Sequence, residues 1–361
     1  MLFQGYLFAW VFWMTLTTGC FGFLLLHHAV RGSWGLVVLR IFETGSKMLP
    51  IMAVAFLPIA ANVAFGGHLY HWSHPEPTDT VLAWKRPFLN PVAFIGTTYL
   101  CFAIWVGWAN LLIKSSLRQD RTGNENEAQL RANWGAAGLV MFVLTNTLTW
   151  THWVMSLDPH WFSTIFPAWF LVCSGLFALA FCAIFTTTRR IQGVTPWKQV
   201  VTTKFQFDLG NLMLAFCLIW AYFSLSQFLI MYSGNLPEEI TYYHNRMDDP
   251  VLSFFGTVLI FFQWLVPFVL LLAPRTKTDP RLLRNVAILI VVMRFLDIFW
   301  TVMPFFKEKG AATLNPTVIA IGFVMALGLG IAWMTLFMQQ LKKESPVPTH
   351  DPRLEGVVSH V

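Results

Sequence analysis

The chain has 361 residues, 56% of them hydrophobic and only 12% charged, against about 25% charged residues in a typical soluble domain. That balance excludes an ordinary water-soluble fold. The net charge of +6 sits in short segments between apolar runs rather than on a soluble basic face, which points to membrane topology and away from nucleic-acid binding.

In chain order, apolar runs long enough to span a bilayer, at roughly 20 residues each, cover residues 3–27, 48–66, 91–113, 133–156, 161–187, 206–232, 251–273, 285–304 and 314–338. They predict an all-α, polytopic bundle of nine transmembrane helices. Sorting the 24 lysines and arginines by connection places seventeen on one side, among them Arg31, Arg40, Lys114, Arg190, Arg281 and Arg353. Five lie on the other side, Lys85, Arg86, Arg246, Lys307 and Lys309, while Lys47 and Arg294 fall within or at the edge of spans. Cytoplasmic loops retain positive residues, so the carboxyl terminus is expected in the cytoplasm and the amino terminus outside. The first span begins almost at Met1, with no basic region before it and no small-residue cleavage site after it, and does not read as a removable signal peptide.

Cys20, Cys101, Cys173, Cys182 and Cys217 all fall in apolar runs without C-x-x-C or C-x-x-C-H spacing, which argues against disulfides, covalent haem and iron–sulfur ligation in this chain. The ten histidines, from His27 and His28 to His350 and His360, avoid the expected bilayer midplane, which disfavours an intramembrane haem held by histidines from facing helices. No metal site is expected.

Ionisable groups inside spans are candidates for function. Arg294 and Asp297 stand three apart near the middle of the eighth span, on one helical face, where a local ion pair offsets desolvation. The aspartate is the member able to relay protons, because arginine stays protonated; the alternative is a static pair holding two helices. Arg40, Glu43 and Lys47 form one polar stripe entering the second span. With Asp208 and Asn211 at the start of the sixth span, and His28 at the end of the first, they are candidates to line a proton inlet, structural pairing being the alternative. On the outer side, His152, Asp158 and His160 cluster around a very short turn, and Ser224, Ser226 and Gln227 lie near the outer end of the sixth span. Imidazole beside carboxylate suits acceptance of the protons released by quinol oxidation, which makes His152, Asp158, His160 and Gln227 quinone-region candidates; the alternative is a set of caps and turn residues.

The run HWVMSLDPHWFSTIF at His152 to Phe166 resembles a signature of the F subunit of alternative complex III, a bacterial quinol:electron-acceptor oxidoreductase. DLGNLMLAFCLIWAYFSLSQFLIMYSGNLPEEI, from Asp208 to Ile240, resembles that family's most distinctive segment, and LRIFE at Leu39 to Glu43 and DDPVLSFFG at Asp248 to Gly256 extend the likeness over nearly the whole chain. The positions that match the family motifs are Glu43, His152, Asp158, His160, Asp208, Asn211, Gln227, Glu238 and Glu239. The resemblance implies the NrfD-like, polysulfide-reductase-anchor superfamily, with four-helix bundles over residues 1–156 and 157–310, a peripheral helix over 311–340 and a cytoplasmic tail over 341–361. It implies ten spans, of which this chain lacks the first, and a place in the bacterial cytoplasmic membrane. It also implies a complex with a sister membrane subunit, an iron–sulfur subunit and c-type cytochrome subunits. Haem c and iron–sulfur clusters then belong to those partners, quinone binds nearby, and this chain carries no redox cofactor of its own.

The functional expectation is a membrane subunit of a quinol:cytochrome c oxidoreductase that shapes the quinone region and conducts protons. A secondary transporter, drawn from the same intramembrane charges, and a purely structural anchor are the alternatives.

Overall fold

The computed structural model describes residues 1–75, 78–307 and 313–351, with the backbone alone at Ser33. Lys309, Arg353 and His360 lie outside the described residues, as do the 310/311 boundary and the last part of the tail.

The described chain is helical throughout. Its long elements are α1 (Leu2–Val30), α2 (Leu39–Ala64), α3 (Pro91–Thr122), α4 (Asn126–Trp153), α5 (Ile165–Ile191), α6 (Thr203–Gly234), the short connecting α7 (Pro237–Met247), α8 (Pro250–Leu272), α9 (Pro280–Val302) and α10 (Pro316–Leu341). Eight of the described helices are long and apolar enough to cross a membrane, which makes this a multi-pass membrane protein by architecture. The 28-residue α4 is also long enough for a hydrocarbon core of about 30 Å, but Asn146 and the threonines at 145, 147, 149 and 151 dilute its hydropathy. Their hydroxyls are returned to the helix itself: Thr147 donates to the Val143 carbonyl at 2.9 Å and Thr151 to the Thr147 carbonyl at 2.8 Å.

Helix boundaries follow from local chemistry. Four helices open on an Asx–Pro pair, in which the Asx side chain caps the free N–H groups and proline fills the first helical position, where no N–H is needed. Asn90 accepts from Ala93 N at 2.8 Å, Asp249 from Val251 N at 3.0 Å, Asp279 from Arg281 N at 2.7 Å and Asn315 from Thr317 N at 3.0 Å. In α2, Pro50 and Pro58 each begin a new segment, so the helix proceeds in three pieces, Leu39–Ser46, Leu49–Ala55 and Leu57–Ala64. Proline in a helix interior removes a backbone bond and crowds the preceding turn.

α1 is apolar all round and forms the axis of the bundle, as such helices do. It packs on α10, α5, α4 and α2; α5, nearly as buried, packs in turn on α9 and α6. In hydrocarbon, lipid tails are as apolar as leucine, so helices associate through close packing and polar contacts rather than hydrophobic burial. At the α1–α5 crossing a Cβ on Gly19 would collide with the Ser174 carbonyl oxygen, and Thr18 and Ser174 hydroxyls meet at 3.2 Å. α10 is fixed to α1 by Trp13 Nε1 donating to the Ala326 carbonyl (2.8 Å) and Trp333 Nε1 donating to the Thr17 hydroxyl (3.0 Å). The outward faces of α6, α8 and α10 are apolar, with Tyr222, Phe254, Val324 and Leu327 exposed, as lipid contact requires and water would penalise.

One end of the bundle gathers Arg31, Arg40, Lys47, Arg190 and Lys277 and is called the basic end below; the other gathers Asp79, His160, Arg246 and Lys307.

Candidate functional site

Arg294 and Asp297 sit one turn apart on α9 and are fully buried, at 0% and 1% exposure. Arg294 Nη1 donates to Asp297 Oδ2, which also accepts from Trp220 Nε1 of α6 at 3.0 Å. The guanidinium lies 5.7 Å from the Trp169 ring of α5, and its Nε and Nη2 find no oxygen acceptor among the described residues. The pair therefore joins three helices, and its carboxylate is held by two donors deep in the bundle. A charge pair in this setting is tolerated because each member compensates the other, and removing one leaves the other uncompensated.

At the basic end, Glu43 pairs with Arg40. Buried Arg40 binds Glu43 and Asp120 of α3 and donates to the Ser116 hydroxyl at 3.2 Å. Asp120 also accepts from Thr349 N (3.2 Å), and its carbonyl lies 2.6 Å from His350 Nδ1, so the segment after α10 folds back over this group. Lys47 turns to the same segment and pairs with Glu344 at 3.7 Å. Asn211 belongs to a separate contact, accepting from Lys277 Nζ at 2.7 Å; Lys277 comes from the short helix Pro274–Thr278 and lies 4.4 Å from the Phe207 ring. Asp208, half-buried on α6, joins neither group. No described hydrogen bond or ion pair links Glu43, Lys47, Asp208 and Arg294 to one another.

At the opposite end the cluster read from the sequence divides. His152 is fully buried in the last turn of α4 and stacks on Phe88, centroids 4.1 Å apart. Asp158 holds the turn that follows, accepting from His160 N at 3.2 Å and Trp161 N at 3.3 Å. His160 reaches across to Asp79, Nε2 to Oδ2 2.7 Å, and Asp79 caps the helix Thr80–Lys85 through Leu82 N at 3.0 Å. That backbone hydrogen bond, then the imidazole, hold the Asp79 carboxyl below its ordinary pKa. Between these elements is a cavity of about 380 Å³ lined by Lys85, Phe88, Met155, Asp158, Trp161 and Phe162 among others, within the range of small-molecule pockets. Lys85 Nζ donates to the Pro159 carbonyl at 2.6 Å, and burial lowers its pKa. Trp161 Nε1 has no acceptor among the described residues. Gln227 lies apart, buried against the Tyr243 hydroxyl, and Ser224 accepts from Trp169 Nε1 at 2.9 Å.

Three residues carry weight that the sequence reading did not give them. Lys85 forms part of the cavity wall and Asp79 caps the helix that carries it, for which the Asp-Thr cap signal at 79–80 was the available cue. Arg246 falls in a polar connection yet is 0% exposed: Nε and Nη2 cap the end of α9 by donating to the Trp300 and Thr301 carbonyls at 3.1 and 2.7 Å, and Nη1 donates to the Tyr242 carbonyl at 2.6 Å. Its guanidinium lies 3.6 Å from the Tyr242 ring centroid and 4.9 Å from that of Phe305. Burial lowers its pKa, and such a group remains protonated at neutral pH. No three His, Cys, Asp or Glu side chains among the described residues come together as a metal-binding group.

No protein-family profile matches the chain, and no curated protein matches it.

Proposed function

We propose that this chain is an integral membrane subunit of a quinol-oxidising respiratory complex, of the kind its motifs resemble in the F subunit of alternative complex III, and that it conducts protons while partner subunits carry the electrons. The observation that carries the reading is the Arg294–Asp297–Trp220 group, a carboxylate buried in the middle of an apolar bundle, where ionisable residues are costly and are associated with ion and proton pathways. In this reading the basic end faces the cytoplasm, following the lysine and arginine asymmetry. The outer cavity beside Asp158 borders the quinone region, its apolar walls and few polar groups suiting a small aromatic headgroup.

The test is Asp297→Asn in the intact complex. Asparagine keeps an oxygen for Trp220 but no longer ionises. With assembly retained, protons moved per quinol oxidised are expected to fall; unchanged stoichiometry leaves Asp297 a structural role only. Recovery of the chain from its native membrane without c-type cytochrome and iron–sulfur subunits overturns the complex itself.

A secondary transporter is the second reading, because two spanning helices are interrupted at prolines, α2 at Pro50 and Pro58 and α8 ahead of Pro267. Transporters with internal repeats place their broken helices at corresponding positions of the two halves. Here they are the second and seventh long helices, which do not correspond when helices one to four are set against five to eight.

A further inference from the structure

α8 carries Pro267 in its interior. Proline has no N–H, and its ring collides with the carbonyl four residues earlier, which here belongs to Gln263. The helix relieves this by opening into a π-helical turn, Ile260–Leu265, closed by Val266 N–H on the Phe261 carbonyl, five residues back instead of four. Such turns recur at functional sites.

The turn is sharply two-faced. Ile260, Phe261 and Phe262 are 54%, 48% and 45% exposed, whereas Gln263 is 0% exposed, so Gln263 points into the bundle, where the turn packs on α6 and α9. Its amide oxygen and nitrogen meet no hydrogen-bond partner among the described residues, and neither does the adjacent Trp264 Nε1. An unpaired buried amide is destabilising, a penalty that leucine or methionine at this position would avoid. On α6, Asn211 lies toward the basic end, where it meets Lys277 of the short helix that follows α8, and Trp220 lies at mid-bundle with Arg294–Asp297 of α9.

We propose that the π-turn at Gln263 is a water-binding site that connects the Asn211–Lys277 contact to the Arg294–Asp297 pair. A buried water takes two to four polar partners. The Gln263 amide supplies an acceptor and donors, Trp264 supplies an N–H, and the Gln263 carbonyl, whose α-helical donor Pro267 lacks, supplies a second acceptor. Water held there passes on one proton for each it receives, and Gln263 stays neutral. The connection to proton conduction rests on the function proposed for Asp297; the water site does not.

The two parts separate in one experiment. X-ray radiolysis of the full-length protein in its native complex generates hydroxyl radicals from bound water, which label neighbouring aromatic side chains. Trp264 is expected to be labelled in the natural protein, unlabelled in Gln263→Leu, and labelled again in Gln263→Glu, with Gln263→Met replacing the leucine variant if that fails to fold. Absence of label on natural Trp264, or equal label in Gln263→Leu, overturns the site. Loss of label together with reduced proton movement in Gln263→Leu supports the connection, and loss of label with full proton movement overturns the connection. Asp297→Asn is expected to keep the Trp264 label, so its effect on proton movement reports on the functional reading alone.

Discussion

Arg246 shows how far a residue's role can depart from its place in the sequence. It lies between Tyr243 and Asp248, in a polar stretch that reads as an exposed connection, yet its three guanidinium nitrogens each meet a backbone carbonyl and its plane lies over Tyr242. Two of those carbonyls end α9, where free acceptors carry the negative end of the helix dipole. Arg246→Met is therefore expected to lower stability by at least about 1–3 kcal/mol, the cost of leaving one buried carbonyl without its donor. Arg246→Lys is expected to recover only part of this, because an ammonium cannot reproduce the planar fork; thermal unfolding in detergent compares the two. Arg294 and Asp297, by contrast, were legible, because three-residue spacing in a helix dictates that they face the same way. Trp220 as their third member was not, because nothing in the sequence of α6 states which helix it meets.

Among elements, four starts are marked by Asn or Asp before proline, those of α3, α8, α9 and α10, whereas the same pair at Asp158–Pro159 holds a turn and opens no helix. Interruptions needed the structure: Pro267 is visible in sequence, but whether a helix kinks, ends or opens into a π-turn depends on what its neighbours allow. The same holds for glycine. Gly19 and Gly107 are alike in sequence, each within an apolar helix, but a Cβ at Gly19 would strike the Ser174 carbonyl while one at Gly107 meets nothing within 4 Å. Gly19→Ala is expected to cost about 2–3 kcal/mol by forcing α1 from α5. Gly107→Ala is expected to be neutral or to stabilise by about 0.5–1 kcal/mol through helix propensity. Parallel thermal melts of the two variants read the difference, and equal losses would show that the α1–α5 crossing is not the close contact described.

At the scale of the whole molecule, the segment after α10 returns across the basic end and is held at Asp120, by Thr349 N and His350, and at Lys47, by Glu344. Asp120 is the shared point, since Arg40 binds the same carboxylate. Asp120→Ala removes the carboxylate that holds Thr349 N while leaving the carbonyl that meets His350, and is expected to loosen the segment and speed tryptic cleavage after Lys342 and Lys343, with the helical core left intact; an unchanged cleavage rate would show that other contacts hold it.

The sequence by itself determined that the chain is an all-α, multi-pass membrane protein and where several of its helices begin; of the nine spans it predicts, eight of the described helices are long and apolar enough to cross. Those follow from hydropathy, caps and proline, which act over a few residues. Only the tertiary structure decided that Arg40 binds Asp120 as well as Glu43, that His152 and His160 face different partners, and that Gln263 turns inward with no hydrogen-bond partner among the described residues. Each depends on which helices become neighbours, and in hydrocarbon that choice is made by close packing and scarce polar contacts between segments far apart in the chain.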